Sequence, residues 1–157
     1  MSAPAPAPDL QGLYRQIVLD HSRQPRNQRR PEHPDREAEG HNPLCGDKIR
    51  VYARLRDDSV EDVAFEASGC AICIASASLM TEAAVGRAVP MVRALGQQFE
   101  AALSPGGGHL PGDLAALAGV GQYPSRIRCA TLPWKTLLAA LDASPETVTT
   151  EQMSPSR

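Results

Sequence analysis

Three cysteines from distant parts of the chain, Cys45, Cys70 and Cys129, are the residues best suited to chemistry. Cys45 opens the tripeptide Cys45-Gly46-Asp47, Cys70 follows Gly69, and Cys129 closes the run Ser125-Arg126-Ile127-Arg128-Cys129. Three thiols and one carboxylate suffice to hold a tetrahedral Zn²⁺, or iron with a cluster, through sulfur and oxygen donors. Because the donors come from separate segments, the whole fold has to assemble such a site.

Each position also has a plainer reading. A cysteine next to glycine is often a small buried hydrophobe, and Asp47 would serve equally as a turn cap or as a salt-bridge partner of Lys48. Gly46 favours the ligand reading, since a glycine between them lets both side chains turn toward one point. Cys70 and Cys73 form a Cys-x-x-Cys, the spacing of half a zinc ribbon or of a thioredoxin-type pair. A ribbon needs a second close pair, and a thioredoxin pair follows a βαβ pattern; the chain offers neither. Cys70 stands at the expected start of a helix, where free N–H groups and the dipole favour thiolate. Cys73, one turn further, reads as a core cysteine. Arg126 and Arg128 would lower the pKa of Cys129 if they approach it. Of the four histidines, His41 is near enough in sequence to reach Cys45; His21, His33 and His109 share no zinc-ligand spacing.

The elements that must carry these groups read as α+β. Leu10, Leu13, Tyr14, Ile17, Val18 and His21 follow helical periodicity, with Asp9 as a candidate N-cap and Pro25 as the stop. Ile49, Val51, Ala53 and Leu55 alternate with Lys48, Arg50, Tyr52 and Arg54, and Val63, Phe65 and Ala67 alternate with Asp62 and Glu66. Joined by Asp57-Asp58-Ser59, they form a hairpin with one wet face. Residues 37–41 offer a weak third strand. Helices are expected over 72–85 and 91–103, a short one at 114–117, and a last one from about Ser125 that Pro133 disturbs. The result is a small antiparallel sheet of two to three strands packed by several helices. Its domain spans 9–142, between expected disordered tails at 1–8 (Ala-Pro-rich) and 143–157.

With 157 residues and a net charge of -2, the chain is sized for one domain and carries no global positive field for nucleic acid or anionic membrane. The basic cluster Arg23, Arg26, Arg29 and Arg30 is short and lacks interleaved aromatics. No apolar run of spanning length and no signal-like N-terminus is present. A cytoplasmic protein is expected, in which four cysteines are ligands or reactive thiols rather than disulfides.

Four ordered motifs resemble the NifU/IscU N-terminal family of iron–sulfur assembly proteins. They are Leu19-Asp20-His21 with Pro25-Arg26-Asn27, then Asn42-Pro43-Leu44-Cys45-Gly46-Asp47, then Gly69-Cys70 with Ala75-Ser76-Ala77-Ser78-Leu79-Met80-Thr81, and Ser125 to Leu132. The resemblance covers nearly all of residues 10–141 and is nearest to the SufU branch. Arg128 stands where scaffold-type members carry a histidine ligand, and the Gly-rich stretch from Ser104 to Val120 lengthens the gap between Cys70 and Cys129. Cys73 occupies a position where serine is expected.

The resemblance implies a zinc-dependent sulfurtransferase that works with a SufS-type cysteine desulfurase and passes sulfur to downstream iron–sulfur assembly proteins. Carried over by position, Cys45, Asp47, Cys70 and Cys129 bind Zn²⁺, Cys45 is the catalytic persulfide acceptor, and Arg126 engages the desulfurase. The alternative is a scaffold that holds iron or a transient [2Fe-2S] cluster on the same four ligands. A zinc deaminase would need His-x-Glu or Cys-x-Glu with Pro-Cys-x-x-Cys, which the chain lacks. A purely structural zinc ranks low, because a chain this long hardly needs metal to fold.

Overall fold

The structure is a computed structural model that describes residues 10–104 and 107–150. The candidate cap Asp9, the expected tail 1–8 and residues 151–157 lie outside them. Helix α1 (Leu10–Arg23) leads through an irregular segment into β1 (Arg36–Asn42), β2 (Asp47–Arg56) and β3 (Ser59–Ser68). Then come α2 (Ala71–Ala84), α3 (Val89–Leu103), the single turn α4 (Leu114–Leu117) continued by a 3₁₀ turn (Ala118–Gln122), α5 (Pro124–Leu141) and β4 (Val148–Thr149).

The strands lie in the order β3-β2-β1-β4, antiparallel except for β4, which runs parallel to β1. The α+β class holds, while the two- to three-stranded antiparallel sheet expected from the sequence becomes a mixed sheet of four strands among the described residues. Two elements make the difference. Residues 36–42 form a full strand although their sequence is polar, because Ala38, Gly40 and Asn42 alone need to face the helices. Residues 143–150, read as the start of a polar tail, instead return to the sheet and pair Val148 with Gly40 and Thr149 with His41.

Helices α2 and α5 cover one face of the sheet, and Phe99 of α3 stacks on Trp134 of α5 with ring centroids 4.9 Å apart. The core is built from the alternating residues of the hairpin (Ile49, Val51, Val63, Phe65) and the apolar run of α2. The other face is less wet than alternation implies. Phe65 exchanges backbone hydrogen bonds with Asn27 and Arg29, and Tyr52 is buried, donating to Glu66 Oε1 at 2.5 Å. Helix α5 runs unbroken through Pro133. The proline lacks the N–H that would serve the carbonyl of Cys129 four residues back, and the buried packing of the helix outweighs that single loss.

The motif His21…Pro25-Arg26-Asn27 turns out to be a clasp. Ser78 Oγ accepts from the Arg26 N–H at 2.8 Å and lies 2.7 Å from His21 Nδ1, and Asn27 Nδ2 donates to Thr81 Oγ1 at 2.9 Å. These bonds pin the end of α1 to α2, whose first residues frame the site. No helix among the described residues is long and apolar enough to cross a membrane.

Candidate metal centre

Strands β1 and β2 are joined by Pro43-Leu44-Cys45-Gly46, and the last pair of their ladder is Asn42 opposite Asp47. Gly46 adopts φ +72°, a left-handed conformation that glycine takes without the Cβ penalty of other residues. The turn therefore places Cys45 and Asp47 on the same side, above the start of α2 and the second turn of α5. Cys70 is the N-cap residue of α2, and Cys129 rises from α5.

The four residues converge. Ligand atoms of Cys45, Asp47 and Cys129 all lie within 4.8 Å of one another, and Cys129 Sγ is 3.2 Å from Cys45 Sγ. Cys129 and Asp47 are buried, whereas Cys45 is partly exposed beside the open Leu44. Cys70, also partly exposed, is near enough to Cys129 for the two thiols to influence each other, while the Cys129 thiol itself donates to Cys45 Sγ. The Cys70 sulfur falls outside the 4.8 Å trio. Two sulfurs and a carboxylate oxygen this close, with a third sulfur beside them, suit a thiophilic tetrahedral ion. Thiolates about 3.8 Å apart surround zinc at its usual Zn–S distance, so the cluster fits the ion with a small opening.

The thiols divide a proton unevenly. Cys70 is lowered to about 6, first by the neighbouring Cys129 thiol and then, against desolvation, by the amides of Cys73 and Ile72 at the helix start. Cys129 is pushed up, because the nearby Cys70 sulfur, burial and the contact with Cys45 all retain its proton. This reverses the expectation that basic neighbours would make Cys129 the acidic thiol. Arg126 stands near enough to the cluster to feel it: its guanidinium is held above its usual value, first by Cys129 and then by the charge of Cys70. Cys73 is buried in the core, and its thiol is raised by desolvation, in keeping with a packing role. His41 points to the other side of β1, where it lines an open groove with Lys48 and Glu39, apart from the sulfurs.

Sequence reasoning missed Asn42. Its buried amide donates to Asp47 Oδ2 at 3.1 Å and to Cys129 Sγ at 3.5 Å. The available signal was its place at the far end of the same tight turn as Asp47.

The NifU-like N-terminal domain model matches residues 13–143. The chain belongs to that family. Among curated NifU-like relatives, the zinc-dependent sulfurtransferase SufU of Bacillus subtilis is 40% identical over 138 residues, covering 82% of this chain and 89% of its own. The iron–sulfur cluster assembly scaffold protein IscU of Streptococcus pyogenes is 35% identical over 139 residues, 86% of each chain. The crystal structure of the N-terminal part of a nitrogen-fixing NifU-like protein from Brucella abortus superposes with a TM-score of 0.77 at 25% identity, over 85% of this chain and 95% of that one. The family match thus rests on sequence and on fold alike.

Proposed function

We propose that this chain is a zinc-dependent sulfurtransferase of iron–sulfur cluster assembly, which takes persulfide sulfur onto Cys45 from a SufS-type cysteine desulfurase. The observation that carries this reading is the position of Cys45. It is the exposed member of a trio whose other two members, Asp47 and Cys129, are buried, and it sits on a glycine turn beside Leu44, which is 74% exposed. A partner can reach this sulfur while the rest of the cluster stays covered. The likeness to a protein named as a zinc-dependent sulfurtransferase supports the same reading.

Cys45, Asp47, Cys70 and Cys129 would hold the zinc. When bound, the ion keeps its thiol ligands deprotonated at neutral pH. The Cys45 thiolate attacks the terminal sulfur of the desulfurase persulfide. A sulfur–sulfur bond forms on Cys45 as the one on the desulfurase breaks, and the desulfurase cysteine leaves as thiolate. Arg126, at the exposed start of α5 and against Cys129, supplies positive charge where the two anionic sulfurs meet and is the contact for the partner. Downstream iron–sulfur assembly proteins then receive the sulfur. The cytoplasm, where thiols stay reduced, suits this chemistry.

A scaffold for a transient [2Fe-2S] cluster is the second reading. It is favoured by the IscU relatives and by a donor set that iron–sulfur centres also accept. Arg128 in place of a histidine ligand favours sulfur transfer. Metal and sulfide content after purification without air, with desulfurase turnover assayed alongside, separates the two. About one zinc per chain, no acid-labile sulfide and faster turnover support sulfur transfer; stoichiometric iron and sulfide would make the chain a scaffold. Cys45→Ser should abolish the stimulation while zinc stays bound, and undiminished stimulation would overturn the role of Cys45.

A further inference from the structure

We infer that Asn42, clamped by Thr150, is a positioning residue of the metal centre, so that the C-terminal strap of the chain helps to retain the ion. The inference rests on the metal-site reading above and extends it beyond the four ligands.

The Asn42 side chain is fully buried and every polar atom of its amide has a partner. Nδ2 faces Asp47 Oδ2 at 3.1 Å and Cys129 Sγ at 3.5 Å, and Oδ1 accepts from Thr150 Oγ1 at 3.0 Å. Chemistry fixes the orientation of the amide. A carboxylate only accepts hydrogen bonds, so the NH₂ end must face Asp47 and the carbonyl end must face Thr150. The threonine hydroxyl is then obliged to donate. One amide therefore sets the direction of two ligands drawn from different elements, β2 and α5, and the hydroxyl of a third element stops that amide from turning.

Thr150 is itself buried, and its place comes from β4, whose parallel pairing with β1 aligns Val148 with Gly40 and Thr149 with His41. Asp47 is gripped at its other oxygen by the Cys70 N–H at 2.9 Å. With both oxygens engaged, the carboxylate has little freedom to rotate, and a fixed ligand loses less entropy when it binds a metal. Hydrogen bonds of this outer kind commonly change metal affinity by about 10–100-fold when removed.

The test uses the full chain with Zn²⁺ and Co²⁺ as probes. Thr150→Val keeps the shape of the side chain and removes the donor; Thr150→Ser keeps the donor. Zinc affinity is measured by competition with a chromophoric chelator, and the Co²⁺-loaded protein reports ligand geometry through its d–d and sulfur-to-cobalt charge-transfer bands. Thr150→Val should weaken zinc several-fold and shift the cobalt bands, Thr150→Ser should restore both, and Asn42→Ala should weaken zinc about 10–100-fold. Adding Thr150→Val to Asn42→Ala should cost little more, since the clamp has then lost its object. Wild-type affinity and unchanged cobalt bands in Thr150→Val would overturn the inference while leaving the metal site standing. A wild-type protein that binds neither ion would overturn the metal-site reading and the inference with it.

Discussion

The backbone N–H of Cys70 donates to Asp47 Oδ1 at 2.9 Å, joining the start of α2 to the start of β2 across the centre of the site. That approach requires glycine at the preceding residue, because a β-carbon on Gly69 would collide with the Asp47 carboxylate. Gly69→Ala should therefore push the carboxylate aside. Overpacking of this kind costs about 1–3 kcal/mol, and loss of an oriented ligand should lower zinc affinity about tenfold or more. Thermal unfolding and chelator competition measure the two effects, and a variant with wild-type values in both would show that Asp47 is not constrained from this side.

In the metal-free protein Cys70 should be the reactive thiol. Its pKa of about 6 depends first on the proton held by Cys129, so Cys129→Ala should raise it toward the usual thiol range near 8.5. The rate of alkylation by iodoacetamide against pH, resolved by peptide mass analysis, tests this. Because the folded pKa lies below the unfolded one, ionised Cys70 contributes stability that is present above about pH 8.5 and lost as pH falls through 6. Cys129 has the opposite sign: its raised pKa withdraws stability as pH climbs past the unfolded thiol value.

His21 is buried against Ser78, and its pKa is lowered, first by desolvation and then by Arg26. Burial thus favours the neutral ring in the fold, with Nδ1 hydrogen-bonded to the Ser78 hydroxyl. A depressed histidine contributes stability above its unfolded pKa of about 6.5 that is lost as pH falls through the folded value. The unfolding midpoint should drop on acidification below about pH 6.5, and His21→Gln should flatten that slope while costing about 1–3 kcal/mol for the disturbed clasp. An unchanged slope in the variant would place the acid sensitivity elsewhere.

Arg126 is exposed, and the sulfurs nearby, Cys129 first, raise the pKa of its guanidinium. A charged hydrogen bond to a partner contributes about 1.5–3 kcal/mol, so Arg126→Ala should lower desulfurase stimulation about tenfold or more while zinc content stays near that of the wild type. Turnover measured over a range of protein concentration would show the loss; full stimulation at wild-type concentrations would exclude Arg126 from the partner contact.

The sequence by itself determined the hairpin and the helices, because alternation and helical spacing are local patterns that burial enforces. It also pointed to the candidate donors: the turn Asn42 to Asp47, the glycine before Cys70 and the run ending in Cys129 name their residues without any knowledge of distance. Tertiary structure alone decided the rest. Strand β1 gains its place from neighbours rather than from its polar sequence, and β4 is two residues long, too short for any periodicity to announce. Tyr52 alternates as a solvent-facing residue, yet a distant loop pairs with Phe65 on the neighbouring strand and it is buried. The contact of Cys129 with Cys45, and the grip of Thr150 on Asn42, join residues 84 and 108 positions apart. Contacts at such separations exist once the sheet and helices have closed, and the residue types involved are common enough in isolation to carry no signal of them.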